Sequence, residues 1–139
     1  MESLKKHMFF LPFKFKIIEN EVYTAFNIAV IPSDMQITKL SMILPVTHDQ
    51  QGTTVIIRNL ASRWDEKGLK EGKFPAVSKV LYNSKLEYGV KEVTVDLTMF
   101  KDTWHKSKRN NNGVLIVYSK KRAEAFIQKN PPYLIAETI

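Results

Sequence analysis

Apolar and polar residues alternate with period two along most of this chain, in runs of strand length separated by polar breaks. Residues 37–46 are the clearest run: Leu40, Met42, Leu44 and Val46 share one face, with Lys39, Ser41 and Ile43 on the other. Residues 8–18 alternate in the same way, with Phe13, Phe15 and Ile17 opposite Lys14 and Lys16, and read as one half-buried strand. Residues 22–30, 53–60, 77–82, 91–97, 114–118 and 133–138 add further strands. Turn signals such as Glu19-Asn20-Glu21, Pro32-Ser33-Asp34 and Asn130-Pro131-Pro132 separate them. About eight to ten short antiparallel strands, with a polar turn every 8–12 residues or so, predict an all-β sandwich or barrel.

One stretch changes period. In residues 90–117, Val93, Val95 and Leu97 fall on one strand face, whereas Phe100 and Trp104 are spaced as one helical face. The switch comes near Thr98, which is placed to cap a short helical turn. Asn110 to Gly113 then offer residues that tolerate positive φ, forming a hairpin loop before the apolar run 114–118. This strand, helical turn and strand are expected to form the middle of the sandwich. Residues 64–74, charged and holding two glycines, are the longest loop, the kind of segment on which binding groups concentrate. Residues 1–6 are charged and read as a frayed end. His48 to Gly52 reads as a polar hairpin tip, and residues 125–127 as a short segment before the last strand.

A length of 139 residues suits one domain with a real core. No apolar run approaches the ~20 residues of a membrane-spanning helix, and residues 8–13 lack a following small-residue cleavage site, so neither a membrane span nor a secretory signal is expected. The chain has no cysteine, which removes disulfides, thiolate metal sites and cysteine nucleophiles. Its net charge of +7 directs attention to anionic partners, among them acidic polysaccharide, nucleic acid and lipid headgroups.

The candidate chemistry is that of binding. Trp64 borders the long loop and offers a flat face of the kind that stacks on a sugar ring. Trp104, at helical spacing from Phe100, reads as core. His105, Lys106, Lys108 and Arg109 form one basic cluster, and Lys120, Lys121 and Arg122 a second. The strand between them sets the two at opposite ends, because an extended strand rises ~3.3 Å per residue. Such side chains bind carboxylate or phosphate. His7, His48 and His105 have no metal-ligand spacing. Asp65 and Glu66, as neighbours on an extended segment, point to opposite faces and cannot flank one bond. With no phosphate-cradling glycine loop and no nucleophile elbow, the expectation is a non-enzyme without cofactor or metal.

Four pieces, in order, resemble the DNRLRE-type, disaggregatase-related carbohydrate-binding domain, which is also similar to the transforming growth factor β propeptide. They are Ala25-Phe26-Asn27-Ile28 with Ile31-Pro32 and residues 37–44; residues 55–60 with Trp64-Asp65-Glu66; residues 93–104 with Asn111-Asn112-Gly113 and the following apolar run; and Phe126 with Pro131-Pro132-Tyr133-Leu134. The family's first strands are compressed here into residues 8–18. The resemblance implies a jelly-roll sandwich that binds glycan at a cell surface, coat or particle, and the charge favours an acidic polysaccharide, held by Trp64, Lys106, Lys108 and Arg109. The alternative expectation is a bacterial coat, envelope or phage component that contacts another protein subunit, or its own copy, through a strand carrying Phe9, Phe10, Phe13 and Phe15. Nucleic-acid binding through the basic patches is the weaker alternative, because the aromatic residues mostly alternate inward.

Overall fold

The alternating runs form nine strands in a computed structural model that describes residues 5–120 and 124–139. They are β1 (Lys6–Phe10), β2 (Lys14–Ile18), β3 (Glu21–Ala25), β4 (Ile37–Pro45), β5 (Thr54–Leu60), β6 (Val77–Lys85), β7 (Glu92–Asp96), β8 (Val114–Tyr118) and β9 (Tyr133–Thr138). Three short helices accompany them: α1 (Glu66–Lys70), α2 (Lys101–Lys106) and α3 (Glu124–Lys129). One sheet has the order β1-β9-β4-β7 and the other β2-β3-β8-β5-β6. Every neighbouring pair is antiparallel. The chain crosses repeatedly between the sheets, so sequence neighbours such as β4 and β5, or β6 and β7, face each other across the core. This is a jelly-roll sandwich, with β2 added at the edge of the five-stranded sheet.

The period-two pattern explains the core. Leu40, Met42 and Leu44 of β4 lie on the inner face beside Val93 and Val95 of β7 and Leu134 and Ala136 of β9. Val22, Val55, Ile57 and Ile116 meet them from the other sheet. Burying one such side chain fully contributes about 1.5–3 kcal/mol, so this layer is the main source of stability.

Several expectations need correction. Residues 8–18 are two strands in opposite sheets, because Pro12 has no N–H to continue a ladder and the chain crosses over there. Phe9 and Phe10 thus sit on β1, paired only with β9, while Phe15 lies on β2 and Phe13 just before it. The strands flanking residues 97–113 are not a hairpin in the middle of the sandwich: β7 is the edge of one sheet and β8 the centre of the other. Thr98 opens a 3-10 turn instead of capping α2. Its Oγ1 accepts from the Leu40 N–H at 3.1 Å and donates to Asp96 Oδ1 at 2.6 Å, tying that crossing to β4. Of the residues 110–113 only Gly113 has positive φ, at 80°. His48 lies in a 3-10 turn between sheets, not at a hairpin tip, and residues 125–127 belong to α3.

β3 departs from simple alternation, since Val22, Tyr23, Thr24 and Ala25 are all buried. The long β5–β6 connection is the cause. It folds back over the outer face of the five-stranded sheet, where Trp64 and Leu69 pack with Leu60 on Tyr23, Ala25 and Leu115 as a second small core. That cover builds the site described next.

Candidate functional site

Three segments meet at one end of the sandwich: residues 13–14 leading into β2, residues 63–65 of the long connection, and residues 108–112 before β8. Their meeting depends on a close backbone approach. A Cβ placed on Gly113 would lie 2.0 Å from the Thr24 carbonyl oxygen, so glycine alone fits there. Asn111, buried beside it, donates from Nδ2 to the Phe26 carbonyl at 2.5 Å and accepts the Gly113 N–H at Oδ1 at 2.9 Å. Trp64 Nε1 donates to the Asn112 carbonyl at 2.6 Å, binding the long connection to the same turn.

Between these segments lies a cleft of about 590 Å³, lined by Phe13, Lys14, Arg63, Trp64, Asp65, Lys108, Arg109, Asn111 and Asn112. Four of these residues are cationic and one is a carboxylate. The carboxylate is already committed, because Asp65 Oδ1 caps α1 by accepting the Gly68 N–H at 2.6 Å. Lys14 donates to the Trp64 carbonyl at 2.5 Å and sits 4.4 Å from the Trp64 ring centroid. Burial lowers its pKa below that of an ordinary lysine, Asp65 opposes the shift, and Arg63 adds to it. Phe13 is 47% exposed, and the ammonium groups of Lys14 and Lys108 lie 5.9 and 5.8 Å from its centroid. The cleft therefore joins an accessible aromatic face to a surplus of positive charge.

A second cleft of about 400 Å³ adjoins the same turn, lined by residues of β5, β6 and α2 together with Asn110, Asn112 and Gly113. Phe100 and Trp104 stack at its wall, with ring centroids 4.9 Å apart and planes 9° from parallel.

Neither the protein-family models nor the curated proteins compared with this chain give a match. The site is accordingly read from its own geometry.

The structure brings Trp64, Lys108 and Arg109 together and leaves Lys106 outside the cleft lining, on the exposed surface of α2. Trp64 is only 6% exposed, so its ring forms the floor of the cleft more than an open platform. Trp104 is core, as its spacing predicts. His105 Nε2 lies 2.8 Å from the Ile31 carbonyl, a structural contact. Lys120 is exposed beyond the far end of β8, while Lys121 and Arg122 lie outside the described residues. The His7 imidazole is 3.6 Å from Glu137 on the outer face of the four-stranded sheet, and His48 packs edge-on to Tyr88.

Sequence reasoning missed Phe13, Lys14, Arg63 and Asn112 as cleft residues. For Arg63 the signal was present, since it precedes a tryptophan already singled out. For Phe13 and Lys14 it was not, because their place depends on the crossover at Pro12.

Proposed function

We propose that this jelly-roll sandwich is a non-catalytic carbohydrate-binding module that takes an acidic polysaccharide in the cleft between Phe13, Trp64 and Lys108. The observation that carries the reading is the pairing of an accessible aromatic face with four cations, Lys14, Arg63, Lys108 and Arg109, in one concave site. Phe13 presents its ring to the apolar face of a sugar, and Arg63 and Arg109 offer planar forks to a carboxylate or sulfate. The resemblance of the chain to DNRLRE-type domains points to the same class of ligand. The carboxylate in the cleft lining, Asp65, is engaged in capping α1, which supports binding over hydrolysis by a carboxylate pair.

The test is binding of the purified protein to an array of acidic and neutral glycans, with single-stranded DNA as a control for charge. Selective binding to an acidic glycan is expected. It should weaken between 50 and 300 mM salt and fall about tenfold or more in an Arg63→Ala/Lys108→Ala variant, as loss of two charge-assisted contacts implies. Equal binding to every polyanion, DNA included, would reduce the cleft to a nonspecific basic patch.

A second reading, a coat or particle subunit, is favoured by β1. Among the described residues its outer edge is unpaired, and Phe9 and Leu11 are 68% and 71% exposed. A subunit of that kind self-associates in light scattering, and Phe9→Lys returns it to the monomer. A wild-type protein that stays monomeric at high concentration removes this reading.

A further inference from the structure

The two clefts share Asn112 and both touch the turn before β8, which sets them side by side. Their chemistry differs. The first holds four cations; the second has Lys79 alone, with the carboxamides of Asn59, Asn110 and Asn112 and the apolar surfaces of Met99 and Phe100. Carboxamides offer both donors and acceptors and suit hydroxyl groups. Among the described residues the Asn59 side chain makes no hydrogen bond, and its Oδ1 is shut off from solvent unpaired, an uncommon cost for a native fold. Met99 is 62% exposed at the mouth of this cleft. Both volumes fall in the range of small-ligand sites, about 300–1,000 Å³.

We infer that the two clefts act as one groove, the second a subsite for the sugar next to the acidic one, so that an internal stretch of polysaccharide is gripped at two adjacent residues. The inference rests on the proposed reading of the first cleft. The acidic sugar lies over Phe13 among the cations, the chain passes Asn112, and its neighbour is held through hydroxyls by the Asn59 Nδ2 and the Asn110 carboxamide against Phe100. A single acidic monosaccharide then fills half of the groove.

Calorimetric titration with galacturonate and hyaluronan oligomers of one to six residues tests this. At least one series is expected to gain about tenfold in affinity from monosaccharide to disaccharide or trisaccharide, the amount that one added set of hydrogen bonds supplies. Asn59→Ala and Lys79→Ala should each remove most of that gain and leave monosaccharide affinity unchanged, whereas Lys108→Ala should weaken every member of the series. Circular dichroism melts of the same variants verify that they are folded. An affinity independent of length, or a gain untouched by both second-cleft variants, overturns the subsite and leaves the acidic-glycan reading standing. Failure of every oligomer in both series to bind overturns the two together.

Discussion

Gly113 and Asn111 decide whether the site exists, because they set the distance between the turn and β3. A methyl group at Gly113 meets the Thr24 carbonyl at 2.0 Å and Ala25 at 2.8 Å, on a backbone with φ of 80° that side chains resist. Gly113→Ala is expected to cost about 3 kcal/mol or more in urea unfolding, combining the left-handed backbone penalty with a backbone clash. Gly72→Ala is the control: its φ is nearly the same, at 81°, but nothing lies within 4 Å of its Cβ position, so only about 1–2 kcal/mol is lost. Asn111→Ala removes the partner of the Phe26 carbonyl and of the Gly113 N–H, both buried, and is expected to cost about 2–4 kcal/mol. The asparagine run was legible as a turn, yet its reason was not: the working feature of Asn111 is a side-chain bridge to a residue 85 positions away. Local φ preference says nothing about such a partner.

Strands carry their own evidence in the sequence, and sheets do not. β8 and β9 were legible to the residue, because Gly113 and Pro132 fix where each run begins. Which strands pair was not legible, since crossings such as β4 to β5 are made by polar turns that resemble hairpin tips. The same ambiguity hid the first cleft, half of whose cations come from segments that only the sheet order brings together. β1 illustrates the consequence. Read as part of one N-terminal strand, it was a candidate arm for partners; in the fold its five residues pair with β9, and Met8 and Phe10 pack on the core. Removing residues 1–11 is therefore expected to uncover the β9 edge and lower the denaturation midpoint, with self-association seen by light scattering. Phe9→Lys, by contrast, leaves the pairing intact and should change the midpoint little, since Phe9 is 68% exposed.

At the scale of the whole molecule, stability at high pH is set by two buried phenols working against one lysine and the net charge. Burial raises the pKa of Tyr118 well above 10, with the nearby Gln50 amide opposing it in part, and burial raises that of Tyr23, helped by its 2.7 Å hydrogen bond to Glu21. Above pH 10 the unfolded chain releases these protons and the folded one keeps them, so stability falls as pH climbs from 10 toward the folded pKa values. Lys14 has the opposite sign. Its folded pKa is below 10.5, so in the window just under that value the unfolded chain holds the extra proton and stability rises slightly with pH. Loss of lysine charge also relieves the self-repulsion of a chain carrying +7 at neutrality. The tyrosines outweigh both, because they are two groups with large shifts, and the curve should be nearly flat from pH 8 to 10 and drop beyond. Tyr118→Phe isolates one of the two phenols. Its hydroxyl is buried and finds no hydrogen-bond partner among the described residues, so the variant should be more stable by about 1 kcal/mol at pH 7. The gain should widen above pH 10, where the mutant has one fewer phenol to hold neutral. Urea unfolding of the two proteins at pH 7, 9 and 11 measures this: parallel curves would mean that Tyr118 does not control alkaline stability.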